Sequence, residues 1–168
     1  MELFALSDRE PGRLLAVTDA DEHLSCGDLS AASEALARAI GGHVLVFLLC
    51  ENTSGTLLGY LGCLRCGAVP LLLDAHIAPG LLKGLAETYC PAFYYAPCDL
   101  PKETRAVLPQ AAPVLELHGS LLLSGSVEGP AIHPDLALLL TTSGSTGSPK
   151  LVRLSGKNLD ANARSIAE

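Results

Sequence analysis

HVLVFLLC, residues His43–Cys50, is the stretch on which the fold turns. Every position after the histidine is apolar, so the run shows neither the alternation of a half-wet strand nor the spacing of an amphipathic helix. Its length suits a strand, and a strand that is apolar throughout has both faces covered. AVPLLLD (Ala68–Asp74) and LALLL (Leu136–Leu140) read the same way.

Helical patterns lie between these runs. Ser25-Cys-Gly-Asp28 places a hydroxyl three residues before a carboxylate, each able to satisfy an open backbone amide of the other. Behind it Leu29, Ala32, Leu36 and Ile40 recur at helical spacing, and Gly41-Gly42 stops the pattern. Thr53 or Ser54 can cap a second helix with Leu57, Leu61 and Leu64 on one face, closed by Gly67. Pro79 suits a first helical position before Leu81, Leu82, Leu85 and Tyr89. Shorter apolar runs follow at Ala92–Ala96, Pro113–Leu117 and Leu121–Leu123. Val152 and Leu154 extend a short strand, and Asn158 is placed to cap a last helix carrying Leu159, Ala163 and Ile166. Buried strands separated by helices predict a single α/β domain over residues 1–168, with a mostly parallel sheet and helices on both faces.

Composition narrows the function. Of 168 residues, 49% are apolar and 17% charged, which suits a packed domain and excludes a disordered one. A net charge of −7 argues against a nucleic-acid or anionic-membrane partner, because a general field of this sign repels polyanions. The opening MELFALSDREPGR lacks a basic segment followed by an apolar one, and Val44–Cys50 is too short to span a bilayer. These features predict a cytoplasmic protein. Cys63-Leu-Arg-Cys66 has the spacing of a redox or zinc pair, but it falls near a helix end, and Cys90 and Cys98 are too widely spaced to complete a zinc site. Reduced, buried thiols are the expectation. The five histidines, His23, His43, His76, His118 and His133, show no metal-ligand spacing.

TTSGSTGSPK, Thr141–Lys150, carries the chemistry. A buried strand precedes it and an amphipathic pattern follows, so it is no interdomain linker. In open α/β sheets ligands collect at strand ends of this kind. Gly144 and Gly147 let backbone amides approach an anion without an intervening Cβ. Thr142, Ser143, Ser145 and Thr146 add hydroxyl donors, and Lys150 supplies a compact positive charge. Pro149 stands where a Walker A loop requires glycine, and no G-x-G-x-x-G is present. The residues by themselves indicate a phosphate-gripping loop.

T-S-G-S-T-G-S-P-K, Thr142–Lys150, resembles the signature loop of the AMP-forming adenylate-forming enzymes: acyl-CoA synthetases, peptide-synthetase adenylation domains and luciferases. Leu24–Leu29 resembles that family's early T-Y-x-E-L segment, Gly62–Asp74 its A-x-x-K-A-G-A-x-x-V-P-L-D region, and Leu154–Leu159 its L-T-H-x-N-L. The pattern departs at Leu151, where the family usually has Gly, and at Gly156, where it often has His.

The resemblance implies the first subdomain of the large N-terminal domain of an AMP-forming acid–thiol ligase. It further implies that the loop holds the β- and γ-phosphates of ATP while a carboxylic acid attacks the α-phosphorus, after which the acyl-adenylate passes to coenzyme A or a carrier-protein thiol. Mg2+ is expected with its ligand largely outside this chain. The adenine- and ribose-binding segments, the acyl pocket and the remainder of the enzyme are likewise expected elsewhere, so the isolated chain should be inactive. A regulatory nucleotide-binding module, one subunit of a split ligase, and a structural relic stay open as alternatives.

Overall fold

The computed structural model describes residues 9–18, 21–126, 128–141 and 150–167. In chain order the elements are β1 (Leu14–Val17), β2 (His23–Ser25), α1 (Cys26–Ile40), β3 (Leu45–Cys50), α2 (Ser54–Cys66), β4 (Val69–Asp74), α3 (Pro79–Tyr89), β5 (Phe93–Pro97), α4 (Lys102–Arg105), β6 (Leu115–Leu117), β7 (Ser120–Ser124), β8 (Leu136–Thr141), β9 (Leu151–Ser155) and α5 (Gly156–Ala167).

The main sheet has the order β6-β7-β5-β3-β4-β8-β9, and β1 and β2 form a separate antiparallel pair. Its centre, β5-β3-β4-β8, is parallel throughout. β7 and β6 on one side and β9 on the other run antiparallel. The chain goes from β3 through α2 to β4 on one side, then back through α3 to β5 on the other. Because such crossovers are right-handed, reversing direction places α2 and α3 on opposite faces.

β3 shows why its sequence does not alternate. Val46 and Leu48 pack with Leu36, Ile40 and Cys63 beneath α1 and α2. Leu45, Phe47 and Leu49 pack with Leu82, Leu85, Leu100 and Leu108 on the α3 and α4 face. Both faces of the strand are sealed, and the expected α/β architecture is present.

Local signals shape the helices as anticipated, with two corrections. The capping box at α1 forms: the Ser25 amide donates to Asp28 Oδ2 at 3.1 Å and the Asp28 amide donates to Ser25 Oγ at 3.2 Å. Gly41 ends that helix at φ 83°, and Gly67 ends α2 at φ 73°, both in the left-handed region that favours glycine. Thr53 caps α2, its side chain accepting from the Thr56 amide. On α2, however, Leu58 is fully buried while Leu57 is 37% exposed. Leu61 and Leu64 are buried as expected, and Leu57 alone turns outward, because the helix packs through its glycines, Gly59 against the sheet and Gly62 against α1. A Cβ on Gly59 would stand 2.5 Å from the Tyr95 ring, and one on Gly62 2.9 Å from Leu36 Cβ. The second correction concerns α5. Ser155 caps it, with Asn158 answering from the third helical position: the Ser155 amide donates to Asn158 Oδ1 at 3.0 Å, and the Asn158 amide to Ser155 Oγ at 3.3 Å.

Candidate functional site

The parallel register aligns the carboxyl ends of the central strands. Leu48 pairs with Leu72, and Leu72 with Leu140, so Cys50, Asp74 and Thr141 end their strands along one edge. β8 and β9 are antiparallel, and Thr141 pairs with Leu151. The two residues that flank the connection, Thr141 and Leu151, are therefore held side by side on this edge. Thr142, Ser143, Gly144, Ser145, Thr146 and Gly147 lie outside the described residues. Lys150 is described, is exposed, and directly precedes β9.

The neighbouring strand ends present carboxylates. Asp74 accepts from the His76 amide at 2.8 Å, and His76 Nδ1 lies 3.4 Å from Asp74 Oδ1. Glu51 follows Cys50, its amide donating to Thr56 Oγ1 at 3.0 Å. Such groups repel a phosphate, so an anion at this edge must be neutralised from the hairpin side. Beside them a cavity of about 560 Å3 opens between the start of α2 and β1, floored by Leu48 and Leu72 and walled by Val17, Thr53, Thr56 and Tyr60. Burial raises the Tyr60 hydroxyl pKa and pushes the Cys50 thiol up to about 11, so both are neutral at ordinary pH.

All six cysteines are free thiols, but only Cys26 and Cys63 are buried as expected, while Cys50, Cys66 and Cys90 are half-buried and Cys98 is exposed. Cys63 is buried, burial raises its thiol pKa, and Cys63 and Cys66 lie in the last turn of α2, away from the positive end of the helix dipole. Among the described residues no group of three or more His, Cys, Asp and Glu side chains could hold a metal ion. No described helix is long and apolar enough to cross a membrane.

The structure also assembles a polar junction with no local sequence signal. Ser54 Oγ donates to Glu22 Oε2 at 3.3 Å, and His118 Nδ1 lies 3.6 Å from Glu22 Oε1. It ties the β1–β2 pair to the start of α2 and to the turn between β6 and β7. Its members are far apart in the chain, so no motif spacing marks them.

The family described as AMP-binding enzyme matches residues 4–168. This chain belongs to the AMP-binding enzyme family. That family comprises adenylate-forming ligases, and the peptide-synthetase and acyl-CoA-synthetase likeness read from the loop agrees with its relatives. A nonribosomal peptide synthetase, lenA, of Aspergillus lentulus is 27% identical over 156 residues, covering 89% of this chain and 3% of that protein. Among solved structures, the O-succinylbenzoate coenzyme A synthetase MenE of Bacillus subtilis in complex with AMP superposes with a TM-score of 0.74 at 22% identity. The match covers 98% of this chain and 44% of that one. MenE of Bacillus subtilis with ATP and magnesium ion gives 0.70 at 21% identity, covering 98% and 46%. Apo MatB of Rhodopseudomonas palustris gives 0.68 at 23% identity, covering 98% and 36%. At these identities the solved structures establish the fold, and the chain spans less than half of each of these relatives. The AMP-binding family thus shares with this chain its mostly parallel sheet and its helices.

Proposed function

We propose that residues 1–168 form the first α/β subdomain of the large N-terminal domain of an AMP-forming acid–thiol ligase. Its task there is to hold the phosphates of ATP with Thr142, Ser143, Gly144, Ser145, Thr146, Gly147 and Lys150. The observation that carries this reading is the pairing of Thr141 with Leu151, which presents the hydroxyl- and glycine-rich connection at the carboxyl edge of a parallel sheet in a chain of the AMP-binding family.

The residue types suit the reaction. When a carboxylate displaces pyrophosphate from the α-phosphorus, negative charge accumulates on the departing phosphates. Backbone amides at Gly144 and Gly147, the four hydroxyls and the Lys150 ammonium stabilise charge where it builds up. Lys150 acts as a phosphate ligand and not as a base. The acyl-adenylate then passes to a thiol acceptor, and the acid and the acceptor are bound by polypeptide beyond this segment. Magnesium accompanies ATP in a solved relative. Among the described residues no group of three or more His, Cys, Asp and Glu side chains would hold it, in keeping with a ligand supplied by polypeptide beyond this segment.

The test is carboxylate-dependent exchange of labelled pyrophosphate into ATP, run on the complete polypeptide with a broad panel of acids. Exchange with at least one acid, absent from the isolated 168-residue segment, is the expected result. A complete protein that binds ATP but exchanges with none would turn the reading toward a nucleotide-binding module.

A further inference from the structure

His43 occupies an unusual position outside the site just described. It follows the left-handed Gly41-Gly42 turn that ends α1, and its exposed ring lies between two main-chain carbonyls. Nδ1 is 2.7 Å from the oxygen of Gly67, the residue that closes α2, and Nε2 is 3.2 Å from the oxygen of His133. The second carbonyl belongs to the segment that leads into β8, and it also accepts from the Leu136 amide at 2.9 Å.

Both partners are acceptors without a proton. A neutral imidazole has one N–H and one lone pair, so it can satisfy one of the two carbonyls and must turn a lone pair to the other. The imidazolium donates from both nitrogens. We propose that His43 is a proton-operated clip: with both ring nitrogens protonated it ties the segment leading into β8 to the end of α2, and with one proton it holds only one of them.

The surroundings are charged but do not supply a substitute clip. Asp135 from the segment and Lys157 from the start of α5 line the same recess of about 370 Å3 as His43. On α2, Arg65 is turned toward Ser30, Ser33 and Glu34 of α1. His133 carries its own ring, whose Nδ1 accepts from the Asp135 amide at 3.2 Å. Protonating His133 removes that acceptor and loosens the segment, the opposite of what His43 does. The two histidines can therefore be separated by the sign of their effect. His133→Ala deletes the competing ring but keeps the carbonyl, which is main chain.

What the clip controls follows from where it closes. The segment it holds continues directly into β8, the strand whose far end bears the Thr142–Lys150 connection. Ile132 and His133 also form one wall of a groove of about 830 Å3 with Tyr89, Leu139, Leu151 and Arg153. Protonating His43 fixes that wall and the entry to β8 against the first helical layer. The inference rests on His43 geometry alone and holds whatever the loop binds.

Hydrogen exchange of residues 130–136, corrected for the intrinsic pH dependence of amide exchange, tests it on the full chain. In His133→Ala, protection is expected to rise about threefold as the solution goes from about pH 8 to about pH 5.5, the gain of one exposed hydrogen bond from the protonated ring. In His133→Ala combined with His43→Phe, protection should not change with pH. Nitrogen-15 spectra of the His43 ring in the wild-type protein provide a second readout that needs no variant to fold. At the acid end both ring nitrogens should carry protons slowed in exchange with water. A pH response that survives His43→Phe overturns the proposal, as does a protonated ring whose two N–H groups exchange freely.

Discussion

Thr141 pairs with Leu151 across the β8–β9 hairpin, while Leu140, one residue earlier, is followed on its other side by the Leu72 register of β4. Both ends of the connection are thus anchored at the carboxyl edge of the sheet, beside its last parallel strand pair. Lys150→Ala should weaken ATP binding by about tenfold, the loss of one charge-assisted contact. Because the side chain is exposed, Tm should move by less than about 2 °C. Lys150→Arg should recover part of the affinity. Unchanged ATP affinity in Lys150→Ala, measured by calorimetry, would remove this residue from the phosphate site.

The inward face of α2 is set by glycines. Leu58→Ala should cost about 2–5 kcal/mol because the side chain is fully buried, whereas Leu57→Ala should cost less than about 1 kcal/mol. Denaturant midpoints of the two variants check the ranking. Equal costs would mean that the helix is rotated from the position described.

Two glycines in helices should respond with opposite signs. A Cβ at Gly59 would press into the Tyr95 ring at 2.5 Å and Leu48 Cδ1 at 2.6 Å, so Gly59→Ala is expected to destabilise by about 1–3 kcal/mol. Gly84, inside α3, has nothing within 4 Å of such an atom, and Gly84→Ala should stabilise by about 0.5–1 kcal/mol through helix propensity. Thermal melts of both variants decide it.

The cap of α1 links stability to acid. Hydrogen bonds from the Ser25 side chain and then its backbone lower the Asp28 pKa. A depressed carboxyl contributes above its unfolded value, and the contribution is lost as pH falls through the folded one. Ser25→Ala should cost about 1 kcal/mol near neutrality. Asp28→Asn should flatten the decline in stability below about pH 4. A variant whose acid unfolding curve overlays the wild type would contradict the reciprocal cap.

At the alkaline end the sign reverses. Burial pushes the Cys50 thiol from 9.0 to about 11 and the Tyr95 hydroxyl from 10.0 to about 12. Below the unfolded values both groups are protonated in either state and cost nothing. Above them the unfolded chain gives up protons that the folded one keeps, so stability should fall between about pH 9 and about pH 12. Cys50→Ala and Tyr95→Phe should each reduce that slope in urea titrations read by circular dichroism, Tyr95→Phe removing the hydroxyl while keeping the packed ring.

Much of this was legible in the residues because the signals are local. The apolar runs at His43–Cys50 and Ala68–Asp74 announced strands buried on both faces, and Ser25-Cys-Gly-Asp28 announced its own helix start. Leu57 misled because leucine spacing alone cannot register that Gly59 and Gly62 bring α2 within touching distance of Tyr95 and Leu36. Asn158 misled for a simpler reason. Ser155 also stands ahead of the helix, and the reciprocal pair uses the serine as the cap and the asparagine as its third-position partner.

What the sequence determined by itself is the main helices, the buried strands and the presence of a hydroxyl- and glycine-rich connection, because each depends on periodicity and composition within a few residues. The short β1, β2 and α4 carry no such pattern and were not expected. Which strands neighbour one another, that the flanks of the sheet turn antiparallel, that Thr141 meets Leu151 at the carboxyl edge, and that His43 stands between the carbonyls of Gly67 and His133 were decided only by tertiary structure. Those relations join residues from 10 to 90 positions apart. They are selected by the simultaneous burial of both faces of the sheet, a condition that no single segment carries.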